Sequence, residues 1–216
     1  MPGPSRNYAK ELERLIQKLQ QEGKVPRLLL HACCAPCSSA VLEYLSQYFA
    51  ITLLYYNPNI APLEEYQKRE AELRRLVSQM KFTHPVELLP CQYDGQAFVQ
   101  AARGLEGEPE GGKRCEVCFR LRLRYAAQEA ARLRFDYYTT TLSISPMKNA
   151  PLLNQLGEEI GREFGVAHLP SDFKKKDGYK RSVQLSKEYD LYRQDYCGCA
   201  FSKAQRQREK EEREEV

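Results

Sequence analysis

The chain has 216 residues, of which 42% are hydrophobic and 29% charged, and its formal net charge is +4. This length and composition favour one globular domain, and the absence of a long apolar run excludes a membrane-spanning segment. The N-terminal stretch also lacks the apolar core of a signal peptide, so we expect a cytoplasmic protein without membrane partners. In that compartment eight cysteines indicate metal ligation or redox chemistry, because thiols there are kept reduced.

The hydrophobic pattern predicts helices and strands that alternate along the chain. In order they are a helix over 7–22, a strand over 27–32, a helix over 38–49 with serines available to cap it, a strand over 51–57, a helix over 62–80, a strand over 86–94, a helix over 114–135, a strand over 136–145, a helix over 150–164 and a strand over 166–170. The alternation predicts an α/β fold in a single domain: a Rossmann-like parallel sheet of about five strands with helices on both faces.

Five unusual motifs follow the carboxyl ends of the predicted strands. In chain order they are CCAPC, NPN, CQYD, SP and SDFKKK. Ligands of open parallel sheets bind outside the carboxyl ends of the strands. We therefore expect one active site at that edge of the sheet.

Two cysteine pairs form the strongest chemical signal. Cys33 and Cys34 lie in the loop after the first strand, whereas Cys115 and Cys118 have the i, i+3 spacing that places both sulfurs on one side of a helix start. Unpaired amides and the helix dipole favour a thiolate or an anionic cluster there. Zinc and an iron–sulfur cluster are both possible occupants, and the adjacent cysteines favour the cluster, because neighbouring residues can ligate different corner irons.

The other cysteines have more open roles. Cys197 and Cys199 flank Gly198 and could close a strained, readily reduced disulfide, or they could be additional metal ligands. Cys91 stands alone, which favours a packed core thiol. Cys37 could ligate a second metal or simply begin the following helix.

Basic residues are concentrated in two runs, Lys113–Arg134 and Lys174–Arg181. Either run alone is typical of a solvated helix face. Two runs close to cysteine motifs favour a polyanionic substrate. The C-terminal tail, residues 203–216, balances five bases with five acids and is typical of a solvated helix or a frayed end.

Several linked motifs in order resemble the epoxyqueuosine reductase QueH family: HACCAPCS, YYNPNI with EYQKRE, RCEVCFRLRL, TTTLSISP, SDFKKKDG and LYRQDYCGCAFS. The resemblance runs from about Leu28 to Ser202. It makes residues 26–202 the catalytic α/β domain, with an N-terminal helical extension over 1–25 and a charged tail over 203–216.

The resemblance implies a HUP-type fold and the last step of queuosine biosynthesis, in which the epoxide of epoxyqueuosine at the tRNA wobble position is reduced without cobalamin. The implied partners are that tRNA and an unidentified electron donor. The resemblance also implies a [4Fe-4S] cluster held by Cys33, Cys34, Cys115 and Cys118, and a redox-active disulfide of Cys197 and Cys199. A second, mononuclear iron is associated with the family, and Cys37 is a candidate ligand for it.

The reaction needs a proton donor, for which Asp195, Tyr196 and Asp172 are candidates. Two other functions compete with the reductase. A HUP-type iron–sulfur enzyme that thiolates tRNA would need a pyrophosphate-binding loop after the first strand, where CCAPC stands. A zinc-stabilised RNA-binding module would contain zinc instead of iron and sulfide.

Overall fold

The computed structural model describes residues 6–214. Within that range the helices are α1 (Tyr8–Gln21), α2 (Ala35–Leu45), α3 (Leu63–Gln79), α4 (Gly95–Ala101), α5 (Lys113–Arg132), α6 (Ala150–Phe164), α7 (Gly178–Glu188) and α8 (Ala200–Glu214). The strands are β1 (Arg27–His31), β2 (Ala50–Leu54), β3 (Val86–Leu89), β4 (Tyr137–Thr140) and β5 (Ala167–His168), and a 3-10 turn spans Thr141–Ile144.

The five strands form one sheet in the order β3-β2-β1-β4-β5, and every neighbouring pair is parallel. The central strand β1 pairs on both sides, so that His31 lies opposite Leu54 of β2 and Thr140 of β4. The strand order changes direction between β1 and β4, and such a switch point opens a crevice at the carboxyl ends of the two strands. The prediction of a five-stranded parallel sheet is confirmed, and the strand order locates the crevice.

Both faces of the sheet are covered by helices. Leu28 and Leu30 of β1 belong to a buried cluster with apolar residues of α1, α2, α3 and α7. Leu29, whose side chain points to the opposite face, belongs to a second cluster with residues of α5 and α6. The single domain with helices on both faces is therefore confirmed.

The helix after β1 begins earlier than the sequence pattern predicts. It starts at Ala35, with Pro36 in its first turn, and Cys34 occupies the capping position, where its Sγ accepts a hydrogen bond from the Cys37 amide at 3.5 Å. The expected serine caps are wrong, because the Ser38 hydroxyl donates back to the Cys34 carbonyl at 2.7 Å. The positive end of the helix therefore lies directly under the cysteines.

The fourth strand is shorter than predicted. Its ladder ends at Thr140, whose side chain accepts a hydrogen bond from the Leu142 amide at 3.2 Å and turns the backbone into the 3-10 segment. Two helices, α4 and α7, and the first residues of α8 were not assigned by the periodicity. The tail forms the exposed helix that its balanced charges indicate. Within residues 6–214, no helix combines the length and apolar character needed to cross a membrane.

Candidate metal and redox site

The ends of β1 and β4 are joined by side-chain contacts at the crevice. The Cys33 amide donates to Thr141 Oγ1 at 3.1 Å, and the Thr141 hydroxyl donates to Cys33 Sγ at 3.3 Å. The loop that carries the first cysteines is therefore held against the neighbouring strand end.

The buried side chain of His31 holds the same strand ends together. It is fully buried, with Nδ1 2.8 Å from Thr140 Oγ1 and Nε2 3.0 Å from the Tyr56 carbonyl. Burial, together with the nearby charge of Arg122, lowers the pKa of His31 to about 4. The imidazole is therefore neutral, and it links three strand ends.

Three thiols meet above this edge. The Sγ atoms of Cys33, Cys34 and Cys37 all lie within 4.8 Å of one another, and those of Cys33 and Cys34 are 3.9 Å apart. Among the described residues, no other group of three or more potential ligands is so close. Hydrogen bonds from Cys34, Cys37 and Thr141 lower the pKa of Cys33, while contact with Cys33 raises the pKa of the other two thiols. This group could hold a metal ion. Because the Cys37 Sγ lies so close to the other two sulfurs, Cys37 belongs to the site as well.

A second group of thiols lies beside the first. Cys115 and Cys118, in the first two turns of α5, and Cys197 and Cys199, just before α8, line one narrow space. The i, i+3 spacing does put both helical sulfurs on one side, as predicted. Burial raises the pKa of Cys118 to about 12. All eight cysteines are free thiols in the described chain.

The loop between Cys197 and Cys199 is held closely against the start of α3. The Ala61 amide donates to the Gly198 carbonyl at 3.0 Å, and Arg69 Nη1 donates to the Cys197 carbonyl at 3.2 Å. Gly198 has φ of +120°, and a Cβ atom there would lie 2.9 Å from Ile60 Cγ1. Only glycine allows both this backbone conformation and this close approach.

A cavity of about 430 Å³ opens at the crevice and connects the two thiol groups. Its wall includes Cys33, Cys34, Cys37, Lys148, Tyr196 and Cys197. Glu110, Arg122 and Cys197 line both this cavity and the narrow space next to it. Seven of the eight cysteines, all except Cys91, are thus neighbours around one cavity and its extension.

Arg122 lies between the two thiol groups and is 1% exposed. Its Nε donates to the Cys118 carbonyl at 3.3 Å and its Nη1 to Asn57 Oδ1 at 3.5 Å, whereas Nη2 has no partner among the described residues. No described carboxylate forms an ion pair with it. A buried cation without an anionic partner is costly, so the surroundings of Arg122 fit an anionic group held by the thiols.

The first basic run therefore has a different role from the one predicted. Arg114 and Arg122 are buried, so these two members of the run do not present their charge to a polyanionic substrate at the surface. On the outer side of α5, Arg120 pairs with Glu159 at 2.8 Å, and Arg124 pairs with a glutamate of α6. The sequence pattern gave no signal for a buried arginine, because the arginines of the run are identical in type and local spacing does not tell which of them face the core.

The second run is partly neutralised. Lys174 pairs with Asp172 at 2.7 Å, Lys176 with Glu13, and Arg181 with Glu43 at 2.6 Å. The side chains of Lys175 and Lys180 are exposed. The structure leaves these two as the free cations of the run within the described chain.

The candidate proton donors separate into two places. Asp195 and Tyr196 line the 430 Å³ cavity, whereas Asp172 lines another cavity, of about 620 Å³, between α1, α2 and the start of α7. Cys91 is half-buried, packs against the core under α5 and lines neither thiol space.

The fold and the site define an α/β protein whose parallel sheet carries, at its switch point, a thiol-rich centre that could hold a metal ion. The sequence profile of epoxyqueuosine reductase QueH matches residues 28–205, and the chain belongs to that family. The family match favours the reductase over the thiolating enzyme and the RNA-binding module.

Curated relatives cover most of the chain. The chain is 43% identical to the epoxyqueuosine reductase QueH of Streptococcus pyogenes serotype M1, over 93% of this chain and 80% of the relative. It is 41% identical to the Staphylococcus epidermidis protein of the same name, over 91% and 84%, and 35% identical to the Thermotoga maritima protein, over 83% and 91%. Among solved structures, an NAD+ synthetase from Burkholderia pseudomallei matches at 11% identity and a TM-score of 0.24, over 87% of this chain and 90% of that chain.

Proposed function

We propose that this protein is a cytoplasmic oxidoreductase that reduces the epoxide of epoxyqueuosine, at the wobble position of tRNA, to the alkene of queuosine. The observation that carries this proposal is the family match over residues 28–205, taken with a thiol-lined cavity at the switch point of the sheet. An electron donor that the chain itself does not identify returns the protein to its reduced state. The division into a helical extension (1–25), a catalytic domain (26–202) and a charged tail (203–216) is part of the proposal.

The cofactor that we assign is a [4Fe-4S] cluster with Cys33, Cys34, Cys115 and Cys118 as its ligands. The fit is supported by the proximity of both pairs to Arg122, whose unpartnered cation would offset the negative charge of a thiolate-ligated cluster. Cys37 would ligate a second, mononuclear iron, since its Sγ lies within 4.8 Å of those of Cys33 and Cys34. When bound, these groups supply single electrons and a Lewis-acidic position for the epoxide oxygen.

Removal of the epoxide oxygen requires two electrons and two protons. Both carbon–oxygen bonds break, a carbon–carbon double bond forms and the oxygen leaves as water. A pair of thiols supplies what is needed when it is oxidised to a disulfide, because the oxidation releases two electrons and two protons. Cys197 and Cys199 line the space next to the cavity, and Cys197 also lines the cavity itself, which supports their role as this pair.

The mouth of the cavity has the chemistry that a splayed nucleotide requires. Met147 and Tyr179 lie in its wall and are 57% and 40% exposed, which is unusual for large apolar side chains. Proteins that read single-stranded RNA stack unpaired bases on aromatic rings, so Tyr179 would stack a base and Met147 would add apolar contact beside it. Arg193 lies in the same wall and would hold a neighbouring phosphate, whereas Arg206 in that wall is paired with Glu209 at 2.6 Å.

The first test of this proposal is metal and product analysis of the anaerobically purified protein. We expect brown protein with iron and sulfide, and conversion of epoxyqueuosine to queuosine in tRNA hydrolysates. Cys34→Ser and Cys115→Ser should each lose most of the iron, whereas Cys91→Ser should keep it, because that thiol lines neither space. Colourless protein with stoichiometric zinc would favour the RNA-binding module, and tRNA-dependent ATP hydrolysis would favour the thiolating enzyme.

A second test separates the two thiol systems. The Cys197→Ser/Cys199→Ser double variant should keep its iron and visible absorbance but fail to turn over. Loss of the iron would make the two residues ligands, and undiminished multiple turnover would show that they take no part in the reaction.

A further inference from the structure

A buried ion pair stands in the wall of the cavity and has no role in the chemistry described so far. Lys148 Nζ lies 2.9 Å from Glu110 Oε1, and the two side chains are only 6% and 13% exposed. Lys148 follows the 3-10 turn after β4, whereas Glu110 precedes α5, so the pair joins the two sides of the cavity. An ion pair that is taken out of water gains little stability, because the loss of hydration offsets the attraction. Its position therefore calls for another explanation.

The pair is connected to the loop of Cys197 and Cys199 through one serine. The Ser202 hydroxyl donates to Glu110 Oε2 at 2.7 Å and accepts from the Cys197 amide at 3.1 Å. The Ser202 amide donates to Cys199 Sγ at 3.3 Å. Ser202 itself is 1% exposed. The position of the ammonium group is thereby tied to the position of the two thiols.

Lys148 carries a proton at neutral pH. Burial by itself lowers the pKa of Lys148, but the carboxylate of Glu110, 2.9 Å away, attracts the ammonium group and helps to hold that pKa above its ordinary value. The ammonium group has one anchoring partner in Glu110, which leaves further N–H bonds free to point into the cavity.

The other candidate donors are less suitable. Lys210 lowers the pKa of Asp195, which is exposed and 2.7 Å from that lysine, so its carboxyl holds no proton at neutral pH. Asp172 lies in the wall of the other cavity. Tyr196 does line the site, but among the described residues its phenol makes no hydrogen bond to Glu110, Ser202 or the two thiols that would align it with them. Lys148 is the better placed acid.

We propose, on the basis of the proposed reductase function, that Lys148 is the general acid that protonates the epoxide oxygen, and that Glu110 and Ser202 are positioning residues that align it with the Cys197–Cys199 pair. One carbon–oxygen bond breaks as the proton moves from Lys148 Nζ to the oxygen. The pair of thiols gives up two electrons and two protons, of which one restores Lys148 and the other completes the water molecule. The sum is dithiol plus epoxide to disulfide plus alkene plus water.

The test is the rate of a single turnover by reduced, iron-loaded protein on epoxyqueuosine-tRNA. Lys148→Ala should lower this rate by roughly 10²–10⁴-fold, the usual range for a general acid. Its iron content and its Kd for tRNA should stay within about twofold of wild type, since the change leaves the cysteines and the exposed cations intact. Lys81→Ala, on an exposed residue outside both cavities, is the matched control and should have no effect.

Lys148→Arg tests whether residue 148 acts as a general acid or only supplies a positive charge. Arginine keeps the positive charge and can pair with Glu110, but a guanidinium does not release its proton in proteins. We expect Lys148→Arg to remain about as slow as Lys148→Ala, and methylamine to restore part of the rate of the alanine variant only. Glu110→Gln should lower kcat about tenfold without a change in KM for the tRNA, because a misaligned acid slows the chemical step and leaves binding unchanged.

A near-wild-type rate in Lys148→Arg, or loss of iron in Lys148→Ala, would overturn the assignment by making the pair electrostatic or structural. A wild-type rate in Lys148→Ala would overturn it with the reductase function intact. Failure of the wild-type protein to form queuosine would instead overturn the proposed function and, with it, this assignment.

Discussion

Replacement of Arg122 by methionine should stabilise the metal-free protein and weaken its hold on iron. In the metal-free chain the guanidinium is buried, and its Nη2 has no partner among the described residues. A buried, unsatisfied polar group costs about 1–3 kcal/mol and a buried charge without an ionic partner costs more, whereas each of the two long hydrogen bonds that the change removes contributes at most about 1 kcal/mol. Methionine fills most of the same volume with apolar atoms.

Arg122→Met should raise the free energy of unfolding of the metal-free protein by about 1–2 kcal/mol, which corresponds to a rise in Tm of roughly 2–8 °C for a chain of this size. Thermal unfolding, followed by circular dichroism under anaerobic conditions, measures this change in chelator-treated protein. After reconstitution with iron and sulfide the order should reverse. A ligand that binds the folded state raises Tm more the more tightly it binds, and in the variant the anionic group has lost its buried counter-charge.

Arg124→Met is the matched control, because it makes the same substitution on the same helix at a residue whose side chain is 48% exposed and paired with Glu163. It should change Tm of the metal-free protein by less than about 4 °C and leave the iron-dependent increase unaltered, since exposed ion pairs contribute less than about 1 kcal/mol. The reasoning would be refuted if metal-free Arg122→Met were less stable than wild type while its iron-dependent increase in Tm stayed unchanged. Arg122 would then be a packing residue.

Three further outcomes follow from the same structure. Gly157→Ala should lower the free energy of unfolding by about 1–3 kcal/mol, although alanine is the better helix former, because the added Cβ would lie 2.3 Å from Cδ2 of His168. When His168→Ala is added, the second substitution should remove most of this loss, and strictly additive effects in the double-mutant cycle would contradict the clash. Burial lowers the pKa of His168 to about 4, so between pH 6.5 and 4 the unfolded chain binds a proton that the folded chain excludes. The free energy of unfolding should therefore fall by up to about 3 kcal/mol as the pH decreases through this window. Urea unfolding of His168→Gln should show a shallower decline, and an identical decline would mean that other groups cause the loss of stability. Binding to tRNA should weaken steeply as salt rises, and Arg193→Ala at the cavity mouth should reduce the slope of log K against log salt by about one; an unchanged slope would exclude a phosphate contact there.

Much of the fold can be predicted from local pattern, because short apolar runs between amphipathic helices leave a parallel sheet as the consistent arrangement. The element boundaries are less predictable. The strand β4 ends at Thr140 because a threonine side chain captures the Leu142 amide, and α2 begins at Ala35 because Cys34 caps it. Each boundary depends on a single hydrogen bond that hydrophobic periodicity does not encode.

The sequence by itself determined which side chains carry the chemistry: thiols after the first strand, thiols at a helix start and a third pair near the C-terminus. Only the tertiary structure decided their surroundings. Arg122 stands in a run of alternating arginines, and which of them points inward depends on how α5 packs against the sheet. Lys148 and Glu110 are 38 positions apart, and no spacing rule relates them. Local spacing defines one face of a helix or strand, whereas a site at a switch point is assembled from loops whose proximity follows from the strand order of the folded sheet.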